Sequence, residues 1–197
     1  MTLIYPVPKT TLNNRNLFGA NPDMYKQFGL QGHNGLDFSV TVGTSVKAVA
    51  DGIVNYVGND PDGYGYYIRI NHDGFQTIYA HGYQAVGFEM GAKIKQEDVI
   101  MLSGSSGYST GPHLHFGIRE LDAEEKVLSY DNGYKGYIDP LLPLDGAMIF
   151  SGLKLDPWMQ DAVDFWVDKG LISNPEKVTP EFAKVLEFER KLYLSNL

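Results

Sequence analysis

Imidazoles are the first chemical signal in this chain, which has five of them and no thiol. His33 stands in Gly32-His-Asn-Gly-Leu-Asp37, four residues before a carboxylate; His81 closes Tyr79-Ala-His81; His113 and His115 flank a single leucine. Gly35 argues against a helix between His33 and Asp37, but residues four apart on an extended segment also share a face. His113-Leu-His115 is likewise a same-face pair on a strand. Without cysteine, a zinc site must be built from imidazole and carboxylate, and a catalytic one takes three protein ligands and leaves a position for water. His33, Asp37 and a member of the pair meet that count. His113 and His115 could each bind, and spacing alone leaves the choice open. Four imidazoles and a carboxylate exceed three ligands, and imidazole titrates where protons must be moved near neutral pH. A cation in such a site acidifies bound water enough to attack an amide. Metal-assisted hydrolysis is the chemistry to expect.

The elements around these residues read as short strands. Phe38, Val40 and Val42 alternate with polar residues, and Val46, Ala48 and Ala50 continue the pattern. Asp51-Gly52 marks a turn before Ile53–Val57. Tyr66–Ile70 and Gln76–Ala80 are joined by Asn71-His-Asp-Gly74, a hairpin signal. Ile94, Val99–Leu102 and Leu114–Ile118 add further strands. Short strands with frequent glycine turns predict a mainly β fold, an antiparallel sandwich or barrel. Residues 1–32 read as an irregular lead-in. Beyond residue 153 the character changes. Asp156-Pro157 and Thr179-Pro180 each open a helix, and Trp158, Ala162, Phe165 and Trp166 fall at helical spacing. The expected organisation is a β unit over 1–152, its core at about 30–120, and a C-terminal helical hairpin over 153–197.

Several residues have ordinary readings. His72 belongs to a turn and is given no catalytic role. Gly104–Gly111 lacks the lysine and following helix of a phosphate loop and reads as a mobile loop beside a groove. Asn34 reads as a turn residue before Gly35. Tyr56, Tyr64, Tyr66 and Tyr67 suit a groove lining and plain strand positions equally. Trp158 and Trp166 share a helix face expected to pack.

The formal net charge is −8, without a basic cluster. That argues against nucleic acid and anionic membranes as partners. No stretch reaches the length of a membrane span, and the first residues lack the pattern of a secretory signal. A protein acting outside the cell would then be exported another way, be carried on a virion, or be a fragment.

Three segments in order, Gly32-His-Asn-Gly-Leu-Asp37, Tyr79-Ala-His81 and Ser109-Thr-Gly-Pro-His-Leu-His-Phe116, resemble the LytM/lysostaphin-type zinc peptidases, family M23. The resemblance covers roughly residues 30 to 120. It implies that His33, Asp37 and His115 bind Zn2+. It implies that His81 and His113 flank the water and the scissile carbonyl, as general base and oxyanion stabiliser. It implies an antiparallel β core with a groove over the metal, action at the bacterial cell wall, and peptidoglycan stem peptides or cross-bridges as substrate. Where the family usually continues Leu-Ser after the Tyr-Ala-His, this chain has Gly82-Tyr83, which should reshape a groove wall. Two other roles share the fold: a non-cleaving regulator of wall hydrolases, and a phage-tail or other assembly protein. The helical tail is the expected surface for self-association or a virion partner.

Overall fold

The computed structural model describes residues 2–85, 87–146, 157–169 and 191. Among these residues nine strands form one antiparallel sheet: β1 Leu36–Phe38, β2 Ser45–Lys47, β3 Gly52–Asp60, β4 Gly65–Asn71, β5 Phe75–Ala85, β6 Lys93–Ile94, β7 Val99–Ser103, β8 Leu114–Glu120 and β9 Tyr137–Ile138. The main path runs β1-β8-β5-β4-β3-β6 and does not close. The long β5 makes it fork. Its first half lies between β4 and β8, while its last residues pair with β7, which carries β2. The hairpin expected at Asn71–Gly74 joins β4 and β5.

Alternation along β8 decides what each face carries. Leu114, Phe116 and Ile118 are fully buried and enter the main core with Leu36, Phe38 and Tyr79. Each such burial stabilises the fold by about 1.5–3 kcal/mol. His115, Gly117 and Arg119 are in the opposite phase. On that side lies a smaller cluster built from Tyr67, Ile78, Ala80 and Tyr137, with Tyr64 packed against it. Register sets Asp37 of β1 opposite His115 of β8, and Ala80 of β5 on His115's other side.

Three sequence expectations need amending. The strand expected through Val42 stops at Phe38; the chain turns at Thr41–Thr44, with Gly43 at φ +87°, and Val42 is exposed. The lead-in is irregular but integral. Its helical pieces are short, Lys9–Thr11, α1 Pro22–Tyr25 and Lys26–Phe28, yet Leu3 and Val7 enter the main core. Leu144, from α2 Leu141–Leu144, does the same, so the packed unit reaches beyond residues 30–120. In the tail, α3 spans Pro157–Asp168, as the Asp156-Pro157 opening predicts. Trp158 is 43% exposed rather than packed, while Trp166 meets Phe165 edge-on. The second expected helix lies outside the described residues, apart from the helical Lys191.

Candidate metal centre

His33 enters on the extended segment before β1, with Asp37 on β1 and His115 on β8. A Cβ at Gly35 would come within 2.8 Å of His115 Cε1, so the absent side chain is what lets the two segments close on each other. His33 Nε2 is 2.9 Å from His115 Nδ1, and each lies 3.2 Å from Asp37 Oδ1. All three side chains are buried.

Hydrogen-bond partners decide which nitrogens carry protons. His33 Nδ1 faces the carbonyls of Asn16 and Leu17 at 3.1 and 3.3 Å. A carbonyl only accepts, so Nδ1 donates and Nε2 presents its lone pair inward. With His115 Nδ1 and Asp37 Oδ1, three electron-rich atoms then converge on one point with no donor among them. A proton on an imidazole would satisfy one contact, and burial opposes it, pushing His115 down to about 4. A metal cation satisfies all three at once. His115 Nε2 is left buried and unpartnered, the nitrogen that carries hydrogen when Nδ1 is a ligand. Burial alone would raise the Asp37 carboxyl, but the two imidazoles against it, His115 and His33, favour its anionic form and hold the group well below the carboxylate range. The donor set therefore fits a zinc-type cation with nitrogen and oxygen ligands.

His81 and His113 stand beside this trio, their rings 4.6 Å apart. His81 Nδ1 donates to the Ser106 carbonyl at 2.8 Å, and His113 Nδ1 to the Gly111 carbonyl at 2.7 Å. Both Nε2 atoms are thus left as proton acceptors. His113 Nε2 is 3.7 Å from Asp37 Oδ2, outside the tight trio. Burial lowers His81 to about 3, so it is neutral at physiological pH. Its backbone is left-handed at φ +62°, uncommon for a residue with a side chain, and its N–H donates to the Tyr64 carbonyl at 2.8 Å. The sheet register shifts at this point, which turns His81 into the cleft.

The cleft has a volume of about 480 Å³. Met24, Tyr25 and Phe28 of the lead-in form one wall and Tyr108–Pro112 the other. The loop at 104–111 lies beside the groove as expected, and it is tied down: Ser106 Oγ donates to the Gly82 carbonyl and Tyr108 N–H to the Gly63 carbonyl. Among the four tyrosines, Tyr64 lines the cleft, Tyr56 and Tyr67 stack on each other, and Tyr66 is exposed. Asn34 is buried and donates to Tyr64 Oη at 2.7 Å, a tie across the cleft floor rather than a turn function. His72 stays in its turn away from the cleft, bridging the Asp51 carbonyl and Thr77 Oγ1.

Two groups escaped the sequence reading. Asn16 donates to Asp37 Oδ2 at 2.8 Å while its carbonyl orients His33. Arg119 lines the cleft in the strand phase of His115, a placement that strict alternation on β8 could have revealed.

Residues 31–129 match the sequence profile of peptidase family M23. An uncharacterized metalloprotease of Haemophilus influenzae is 44% identical over 85 residues, which cover 43% of this chain and 18% of that protein. The DD-carboxypeptidase/endopeptidase Mpg of Neisseria meningitidis is 41% identical over 88 residues, 44% of this chain and 20% of that one. The alignments thus span about a fifth of these relatives' length. Among solved structures, the catalytic domain of lysostaphin from Staphylococcus simulans superposes with a TM-score of 0.50 at 29% identity, covering 58% of this chain and 80% of that domain.

Proposed function

The chain belongs to peptidase family M23, and from that premise we propose that it is a zinc-dependent endopeptidase cutting peptide bonds of bacterial peptidoglycan, in a stem peptide or cross-bridge. The observation that carries the reading is the convergence of His33 Nε2, Asp37 Oδ1 and His115 Nδ1 within 2.9–3.2 Å of one another. These three atoms would hold the zinc. A zinc ion supplies Lewis acidity there, making water a nucleophile near neutral pH and drawing charge onto a carbonyl oxygen.

The protein's own groups do the rest. Asn16 fixes Asp37, and the Asn16 and Leu17 carbonyls fix the tautomer of His33. His81 and His113, each anchored through Nδ1, present Nε2 to the substrate amide. One accepts the proton of the attacking water and passes it to the leaving amine. The other would take a proton from solvent at Nε2 as negative charge develops on the carbonyl oxygen, and donate a hydrogen bond to that oxygen. The lead-in and the 104–111 loop bound the cleft, and Tyr83, which follows His81-Gly82, is exposed. The name of one relative, the peptidoglycan DD-endopeptidase ShyA of Vibrio cholerae, supports a wall peptide as the target. Among the described residues, no helix is long and apolar enough to cross a membrane.

Turbidity of purified bacterial walls tests this reading. The zinc-loaded protein should clear them, a chelator should stop clearing, and added zinc should restore it. Zinc bound at full occupancy without release of new amino termini from any wall would instead support a non-cleaving regulator.

A further inference from the structure

Arg119 is a cation in the cleft that the proposed reaction does not use. It shares its strand phase with His115, four residues away, which along a strand is ~13 Å. Gly117 between them has no side chain, and a Cβ there would press on Tyr137 Cε1 at 2.7 Å. That gap admits the Tyr137 ring, and the Arg119 guanidinium lies over the ring, 4.0 Å from its centroid. Tyr137 is held in turn by a polar chain: Asn34 Nδ2 donates to Tyr64 Oη, and Tyr64 Oη donates to Tyr137 Oη at 3.2 Å. A guanidinium laid on an aromatic face keeps its in-plane N–H groups free for a planar, two-oxygen acceptor.

No such acceptor is present among the described residues. No carboxylate there lies within ion-pairing distance of Arg119, although lysines at 9, 26, 47 and 95 each have one. Its Nε is buried without a partner. In a chain of net charge −8, an arginine that lines the cleft without an ion-pair partner is not a product of overall composition. Lys135 lines the same cleft and adds positive charge.

We propose that Arg119 is a specificity residue that binds a free carboxylate of the substrate, so that the cleft selects acidic peptides. This rests on the peptidase reading above and deepens it. An extended peptide advances about 3.3–3.6 Å per residue, so the carboxylate sits within a few residues of the scissile amide. It can belong to a chain terminus or to an acidic residue within the peptide.

The test uses the full-length, zinc-loaded protein and a synthetic stem pentapeptide ending in D-alanyl-D-alanine. The peptide is prepared as the free acid, as the C-terminal amide, and with only its glutamate carboxylate amidated. Affinity is measured by calorimetry and hydrolysis by KM and kcat. One amidation should weaken binding and raise KM roughly tenfold or more, the size expected for a lost charge-assisted hydrogen bond, with kcat little changed. Which amide loses affinity identifies the carboxylate. Arg119→Gln should bind the free acid as weakly as that amide, and Arg119→Lys should retain part of the preference. A role confined to packing on Tyr137 would weaken all three peptides alike. Equal binding of the three by the native protein, absence of binding included, or a preference that survives in Arg119→Gln, overturns the proposal. Cleavage of all three at equal KM removes Arg119's role and leaves the peptidase reading standing. Discrimination without cleavage does the reverse.

Discussion

His33 Nε2 and His115 Nδ1 lie 2.9 Å apart, closer than two nitrogen lone pairs tolerate unless something positive lies between or beside them. Residues 82 positions apart in the chain are brought to that distance by the β1–β8 pairing and by the missing side chain at Gly35. The metal reading rests on this relationship, and the neighbouring histidines take their roles from lying outside it.

His81→Ala and His113→Ala should each keep zinc and lose hydrolysis, by about 10²–10⁴-fold, the usual share of a positioned acid or base. Both side chains are anchored to backbone carbonyls beside the trio, not within it. Metal content and peptide release on the same preparations check this. A metal-free His113→Ala protein would move His113 into the ligand set.

Asn16→Leu should lower zinc affinity about 10–100-fold while the fold persists, because Asp37 Oδ2 loses the amide donor that orients the carboxylate. Competition with a chromophoric chelator measures it. Unchanged affinity would mean that β1 alone orients Asp37.

Asn16 also marks the limit of what the sequence discloses. The five candidate site residues are legible because their motifs occur in the order of a known family's pattern. Asn16 lies 21 residues before Asp37 in an irregular segment, where no period announces which side chain will fold back. Arg119 is different: it continues the alternation that places His115, and only its lack of a motif concealed it. The β5 fork was hidden for another reason. Alternation reports which residues share a face, not which of three partner strands each half of a long strand will meet. β9 has only two residues, too few for any pattern.

His72 supplies a pH prediction away from the metal. Burial pushes it down to about 4 from an ordinary value of 6.5. As pH falls, the unfolded chain takes up this proton first. The contribution to stability is therefore whole above about pH 6.5 and is lost progressively toward pH 4, by about 3 kcal/mol in all. In metal-free protein, the stability difference between native and His72→Gln should shrink across that window. Parallel denaturation curves from pH 7 to 4 would refute the assignment.

Zinc stoichiometry by elemental mass spectrometry, on the native protein and four single variants, tests the central claim most directly. The native chain should hold one zinc. His81→Ala and His113→Ala should also hold one, while Asp37→Ala and His115→Ala should hold almost none, with Asp37→Asn intermediate because it keeps an oxygen donor but loses the charge. Full zinc occupancy in a folded Asp37→Ala or His115→Ala protein would contradict the account.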